Sequence, residues 1–146
     1  MGDVRITIKV VNPASGKDVS ELDVLVDTGA TLPVIPQRVL ESIGVSRTKT
    51  IKIRMADGRI AERDVGDATI IVNGDSATSR VVFGKEEDAP VIGLTILEQL
   101  GLAVDPIQRR LVPAEYLFYI SFTTALSPSP VGIPMKNPFF IPKRSK

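Results

Sequence analysis

The sequence predicts an all-β fold with one or two short helices. Apolar residues alternate with polar ones over short runs, as in residues 4–11, and such alternation is typical of half-buried strands. Turn signals such as Asn-Pro, Asp-Gly and Asn-Gly separate these runs at short intervals, and only two runs are helix-like. With 146 residues, 43% of them hydrophobic and 24% charged, the chain is long enough for one globular domain with a core of its own.

The first part of the chain predicts three strands and one helix. Pro36 suits the first turn of that helix, and Gly44 suits its C-terminal stop. The turn between the first two strands contains Asn12-Pro13. The predicted elements are strands over residues 4–11, 19–26 and 31–35 and a helix over residues 37–42.

The second part predicts further short strands and a second helix. Asp57-Gly58 lies between two strand-like runs, which is the strongest short hairpin signal, and Asn73-Gly74 marks another hairpin. Gly101 ends the second helix. The predicted elements are strands over residues 51–55, 60–65, 68–72, 77–83, 90–93, 102–104 and 110–112 and a helix over residues 95–100.

The C-terminal part differs in composition. Prolines recur from Ser127 onward, which indicates an extended or disordered tail or a linker. We therefore predict a domain over residues 1–119 and a Pro-rich tail over residues 120–146. Residues 116–126 are apolar but only about half as many as a membrane-spanning helix needs, so no membrane span is expected. An edge strand, a dimer contact and a surface-seeking segment are the alternatives for them.

Composition excludes several classes of function. The chain has no Cys and no His, so disulfides, thiolate chemistry and Ser-His-Asp or Cys-His catalysis are impossible, and a zinc site is unexpected. The formal net charge of +1 gives no electrostatic reason for nucleic acid or an anionic membrane as a partner. We expect neither a metal nor another cofactor. The N-terminus lacks the apolar stretch of a secretory signal, and the lack of cysteine favours a cytoplasmic location.

One aspartate is a candidate catalytic group. Asp27-Thr28-Gly29 joins two apolar runs, so we expect the Asp27 carboxylate at the end of a buried strand, where water is scarce. Two carboxylates a few ångströms apart share one proton, and one can then activate water while the other protonates a carbonyl oxygen. Thr28 offers a hydroxyl for a hydrogen bond to a partner chain, and Gly29 lets the backbone approach the carboxylate closely.

This motif occurs once in the chain, with no second Asp-Thr-Gly or Asp-Ser-Gly. A paired active site therefore requires two copies of the protein. The alternative is a turn aspartate followed by a left-handed glycine, although apolar residues on both sides fit a plain solvent turn poorly. Val91-Ile92-Gly93 taken alone favours a structural interpretation, namely a core strand with a glycine at the strand-helix corner. The combination of the two motifs is what favours catalysis.

Together the motifs resemble those of the retropepsin-like aspartic proteases, in particular the small single-domain prokaryotic ones. The resemblance spans about residues 3–119. It rests on residues 24–30 (Val-Leu-Val-Asp-Thr-Gly-Ala), on residues 90–101 with their apolar-apolar-Gly strand and helix, and on residues 105–113.

The resemblance implies a closed β-barrel, a homodimer and a catalytic pair made of Asp27 from each subunit, within a loop completed by Thr28 and Gly29. It also implies that the hairpin at residues 56–59 is a flap over a bound peptide. The residues expected to contact substrate are Ala30, Thr31, Ala56, Asp57, Gly58, Arg59 and Ile92.

Two positions depart from the retroviral pattern. Thr31 and Leu94 replace the Asp and Arg that form an ion pair supporting the dimer in those enzymes. Our first hypothesis is a homodimeric aspartic endopeptidase acting on peptides or unfolded proteins. The alternative is a catalytically silent peptide-binding or dimerisation module of the same fold. For the tail, removal by self-cleavage is an alternative to a plain flexible extension.

Overall fold

The computed structural model describes residues 3–115 of the chain. Nine strands and two short helices make up this part of the protein. In chain order they are β1 Val4–Val11, β2 Asp18–Val26, β3 Val34–Pro36, α1 Gln37–Ser42, β4 Lys49–Arg54, β5 Ile60–Val72, β6 Asp75–Gly84, β7 Val91–Ile92, α2 Leu94–Leu100, β8 Leu102–Asp105 and β9 Arg110–Pro113.

The alternation in β1 directs its apolar side chains into the core. Ile8 and Val10 are buried, whereas Arg5 and Thr7 are exposed, because successive side chains of a strand point to opposite faces. β1 pairs with β2 in antiparallel fashion along nearly its whole length. The long β1–β2 ladder thus carries the chain directly to Asp27.

Seven strands form one sheet in the order β1-β2-β7-β3-β6-β5-β4. The sheet closes on itself because residues 9–11 of β1 also pair with residues 69–71 of β5. Six strands therefore form a closed ring, and β4 lies outside it, paired with β5. β8 and β9 form a separate two-stranded sheet. The predicted all-β class with short helices is confirmed.

The core lies within this ring and under the two helices. Leu40 of α1 and Ile96 of α2 are completely buried, so each helix contributes one apolar side to the same cluster. Other large, fully buried side chains of the core are Ile8, Val10, Val24, Ile35, Ile70, Val81, Phe83 and Ile92. Burial of such side chains contributes roughly 1.5–3 kcal/mol each to folding.

The third strand is shorter than predicted. β3 covers only Val34–Pro36, and the preceding residues form a bend. The carbonyl of Thr31 accepts a hydrogen bond from the backbone N–H of Thr95, so this segment contacts the start of α2 instead of extending a ladder. Pro36 lies just before α1, whose boundaries are those predicted.

β5 is a single strand of 13 residues where the sequence predicts two. Gly66 interrupts the apolar pattern but not the strand. A side chain at this position would collide with the backbone carbonyl of Ser46, so the glycine permits close approach of the loop that follows α1. The two hairpins around β5 are as predicted, with tight turns after Arg54 and Val72.

Three predictions concern residues outside the described range. The domain boundary at residue 119, the character of residues 116–126 and the Pro-rich tail stay predictions. Within residues 3–115, no helix is both long enough and apolar enough to cross a membrane.

Candidate active site

Asp27 lies immediately after β2, at the point where β2 meets β7. The two strands are parallel, with Leu25 beside Val91 and Val26 beside Ile92. The backbone N–H of Leu25 donates to the carbonyl of Pro90, and that of Asp27 donates to the carbonyl of Ile92, each at 3.0 Å. The backbone of Asp27 is therefore held by the end of the buried strand β7.

The carboxylate of Asp27 is oriented by its own loop. Its Oδ1 accepts a hydrogen bond from the backbone N–H of Gly29 at 2.8 Å. The backbone carbonyl of Asp27 accepts a hydrogen bond from the N–H of Ala30 at 3.1 Å. Among the described residues, no donor bonds Oδ2. A Cβ at Gly29 would lie 3.2 Å from Oδ1, so the glycine leaves room for the oriented carboxylate. One oxygen is thus fixed and the other is available for chemistry.

The loop is fastened on its far side to the start of α2. The N–H of Leu94 donates to the carbonyl of Ala30 at 2.8 Å, and the hydroxyl of Thr95 donates to the carbonyl of Thr31 at 2.9 Å. A side chain at Gly93 would collide with the Ala30 carbonyl, so only glycine allows this approach. Gly93 belongs to the predicted apolar-apolar-Gly motif, whereas no sequence pattern indicates that Thr95 bonds the Thr31 carbonyl.

The predicted site residues differ in accessibility. Asp27, Thr28 and Thr31 are exposed in the single chain, whereas the sequence analysis expects a water-poor carboxylate. The reason is that β2 is only partly buried and Asp27 lies beyond its end. Ile92 is fully buried in the core, so its side chain is not presented to a peptide, and it contributes to the site through its carbonyl.

The predicted flap is a hairpin tip between β4 and β5. The Met55 N–H donates to the carbonyl of Arg59 at 2.8 Å, and the Arg59 guanidinium donates to Asp57 at 2.6 Å. The hydrogen bonds from Arg59 keep the pKa of the Asp57 carboxyl below its usual range. Within residues 3–115, the hydrogen bonds of this tip lie inside the hairpin, and none joins residues 56–59 to the Asp27 loop.

An open cleft of about 390 Å³ lies beside the Asp27 loop. Thr28 forms one edge, and α2 and β8 form the rest. Leu94 is 41% exposed here, although it follows the motif glycine directly. The full lining is Thr28, Leu94, Leu97, Glu98, Leu102, Ala103, Val104 and Pro106.

A buried ion pair supports the segment that leads into β7, and no sequence pattern predicts it. The Arg63 guanidinium donates two hydrogen bonds to Asp88, Nε to Oδ2 at 2.7 Å and Nη2 to Oδ1 at 2.9 Å. Asp88 Oδ2 also accepts the N–H of Lys85 at 2.8 Å. The side chains of Arg63 and Asp88 are only 8% and 9% exposed. Nothing in the sequence separates these two residues from other charged ones.

This ion pair shifts the pKa values of both Arg63 and Asp88. The hydrogen bonds from Arg63 keep the pKa of the Asp88 carboxyl below its usual range, against the opposing effect of burial. The same hydrogen bonds raise the pKa of Arg63. Both shifts favour the charged forms of the two groups.

The described residues do not include a metal-binding cluster. Within residues 3–115, no group of three or more acidic side chains is arranged to hold a metal ion. The chemistry that the Asp27 loop can perform is that of a carboxylate with one free oxygen, namely proton transfer to and from water or a carbonyl oxygen.

A closed ring of strands with Asp-Thr-Gly at the end of β2 defines a retropepsin-like aspartic protease fold. The profile of the family described as "gag-polyprotein putative aspartyl protease" matches residues 16–99, more than half of the chain. The protein belongs to this family of aspartic proteases, as the sequence motifs predict.

The chain is also similar to solved structures, and the first of the two described here has the same fold. EIAV protease, complexed with the inhibitor HBY-793, is 20% identical, with a TM-score of 0.54 over 71% of this chain and 93% of that chain. A retropepsin-like aspartic protease from Rickettsia conorii is 15% identical, with a TM-score of 0.45 over 71% of this chain and 88% of its own. No curated protein matches the sequence.

Proposed function

We propose that the protein is an aspartic endopeptidase whose active site forms when two copies of the chain bring their Asp27 side chains together. One observation carries the proposal: the single Asp27 carboxylate has one oxygen oriented by Gly29 and one oxygen without a partner among the described residues. A lone carboxylate of this kind cannot supply both the base and the acid that peptide hydrolysis needs. The chain has one such motif, so the second carboxylate comes from a second chain.

The reaction follows from a shared proton. Two carboxylates in contact cannot both ionise comfortably, so one is charged and the other protonated. The charged Asp27 removes a proton from a water molecule, whose oxygen attacks the peptide carbonyl carbon. The protonated Asp27 donates its proton to the carbonyl oxygen. When the tetrahedral intermediate collapses, the C–N bond breaks and a proton passes to the leaving nitrogen, so that a carboxylic acid and an amine are released.

The partner chain would cover the cleft beside Thr28. This cleft adjoins Asp27 and is lined mainly by apolar groups of α2 and β8. Leu94 is half-exposed in the single chain and packs against the partner in the proposed dimer. This apolar contact takes the place of the ion pair of the retroviral enzymes, which Thr31 and Leu94 cannot form. Burial of this surface would also remove water from around Asp27, as the hydrolytic mechanism requires.

The substrate is proposed to be an extended segment of a peptide or unfolded protein. Extended peptides bind by adding backbone hydrogen bonds to a strand-like surface, with side chains in alternating pockets. The hairpin tip at residues 56–59 would close over it. Ala30 and Thr31 lie in the loop next to Asp27 and are proposed to contact the peptide backbone.

One observation favours the alternative of a silent peptide-binding module. The hairpin tip carries an internal Asp57–Arg59 ion pair, and this polar arrangement is less suited to closing over an apolar peptide than a tip of small residues. A module of this kind would bind peptides without cleaving them.

The decisive experiment compares wild type with Asp27→Asn on an unfolded protein substrate. Asparagine keeps the size of the side chain but cannot act as the base, so we expect activity to fall by a factor of at least about a hundred. Asp67→Asn is the matched control, because Asp67 is an exposed aspartate in the middle of β5, and it should cleave like wild type. Equal cleavage by Asp27→Asn and wild type would refute the assignment of Asp27. Peptide binding without cleavage by wild type would support the silent module.

A further inference from the structure

A second cleft is lined by residues of β1, the β5–β6 turn and the β8–β9 hairpin. Its volume is about 320 Å³, which is within the range of small-molecule sites. Three arginines from two separate parts of the chain line it, namely Arg5, Arg109 and Arg110. The remaining lining residues are Ile6, Thr7, Val72, Asn73 and Leu111.

These three arginines are not neutralised within the described residues. Some other cations of residues 3–115 do have acidic partners: Lys9 pairs with Asp18, and Arg47 with Glu41 and Asp64. Arg5, Arg109 and Arg110 form neither an ion pair nor a side-chain hydrogen bond within residues 3–115. The protein as a whole has a formal charge of only +1, so the concentration of three positive charges in one cleft is a local property.

The acidic residues that lie opposite cleft residues in the ladders accept hydrogen bonds from groups other than the three arginines. Asp23 lies opposite Thr7 in the β1–β2 ladder and accepts its hydroxyl hydrogen bond at 2.7 Å. Asp105 lies opposite Arg110, but its Oδ1 accepts the N–H groups of Ile107 and Gln108, at 2.9 and 3.1 Å. No acidic side chain lines the cleft itself.

The turn that carries Arg109 has a defined conformation. Asp105 fixes the β8–β9 turn through the two hydrogen bonds to its backbone, and Arg109 has a φ of 55°, which is uncommon for a residue with a side chain. This conformation places Arg109 and Arg110 at the same cleft as Arg5. Guanidinium groups present several N–H donors in a planar fork that matches the oxygens of phosphate and carboxylate.

We propose that this cleft is a binding site for a small molecule carrying a multivalent oxyanion, as a phosphate or as clustered carboxylates. The three guanidinium groups contact the anion, and the amide of Asn73 supplies a further hydrogen bond. The apolar floor of Ile6, Val72 and Leu111 excludes water from one side and strengthens these charge interactions. The site is separate from Asp27 and does not depend on the proposed peptidase activity.

The test is an NMR titration of the ¹⁵N-labelled full-length protein with inorganic pyrophosphate and, in parallel, with citrate. We expect saturable shifts of the backbone amides of Arg109 and Arg110 and of the Nε–H signals of all three arginines, with weaker binding at higher salt. The probe that binds more tightly identifies phosphate or carboxylate as the preferred source of the oxyanion. Asp27→Asn should bind both probes like wild type, which separates this site from the proposed active site.

Two triple variants carry the comparison. Replacement of Arg5, Arg109 and Arg110 by Gln should weaken binding by at least about tenfold. The control replaces three other exposed cations, Arg38, Lys49 and Arg80, by Gln, which changes the net charge equally and should leave binding nearly unchanged. If the first variant folds poorly, the double variant Arg5→Gln/Arg110→Gln leaves the turn residue intact. Shifts that do not saturate, or equal weakening by both triple variants, would overturn the proposal.

Discussion

The buried Arg63–Asp88 pair leads to a quantitative prediction for Asp88→Ala. The substitution removes a carboxylate that receives two hydrogen bonds from Arg63 and one from Lys85. Arg63 then remains buried, with the carbonyl of Glu62 as its acceptor at 2.8 Å and the exposed Glu87 at 3.7 Å. Loss of one partner from a buried pair costs about 3–5 kcal/mol, and the residual contacts of Arg63 place the expected loss near 3 kcal/mol.

The assay is urea unfolding followed by circular dichroism, at one fixed protein concentration because the proposed association would also stabilise the folded chain. With a slope of about 1–3 kcal/mol per molar urea, the expected loss lowers the midpoint by about 1–3 M. Asp18→Ala is the matched control, because it breaks the Lys9–Asp18 pair, whose side chains are 42% and 37% exposed. That pair should contribute at most about 1 kcal/mol. If Asp88→Ala loses no more stability than Asp18→Ala, the structural reasoning about the buried pair is refuted.

Three further predictions concern the same framework. The pKa of Asp88 is lowered from its ordinary 3.8, so the ionised carboxylate stabilises the fold fully above about pH 4, and this stabilisation is lost as the pH falls through the lower folded-state pKa. Wild type should therefore lose stability in this acid range. Asp88→Asn, measured by the same urea titrations, should show a flatter dependence of stability on pH. Gly93→Ala should destabilise the fold by about 2–3 kcal/mol, since the added methyl collides with the Ala30 carbonyl, and a wild-type melting curve would contradict this. Leu94→Asp should weaken the proposed dimer by about ten- to a hundredfold, because a leucine contributes about 1.5–3 kcal/mol when buried. Sedimentation measures the dimer affinity, and Ile60→Asp is the control because Ile60 is another exposed apolar residue. Unchanged association of Leu94→Asp would exclude Leu94 from the interface.

The sequence predicts those elements whose cause is local. The alternation in β1, the Asp-Gly hairpin and the glycine after α2 all act within a few residues, and the corresponding elements are present close to their predicted bounds. The Asp27 motif is equally local, because Gly29 and Ala30 bond the residue that precedes them by two or three positions. These features require no knowledge of the rest of the fold.

The features that were missed depend on contacts between distant parts of the chain. The predicted break between residues 65 and 68 is absent, because Gly66 allows β5 to continue past the Ser46 carbonyl. The shortening of β3 comes from the hydrogen bonds between Thr31 and Thr95, which lie 64 residues apart. The Arg63–Asp88 pair is likewise formed only in the folded chain. Propensity and periodicity contain no information on such pairings.

The position of β4 outside the ring determines how the hairpin can move. Residues 60–64 of β5 pair only with β4, whereas pairing with β6 begins at Val65. The two-stranded arm formed by residues 49–64 is therefore joined to the ring only at its base, and we expect its outer part to bend while every ladder of the ring stays intact. Arg63 is anchored to Asp88 at the base of this arm, so we expect the same buried contact that stabilises the fold to fix where any bending begins.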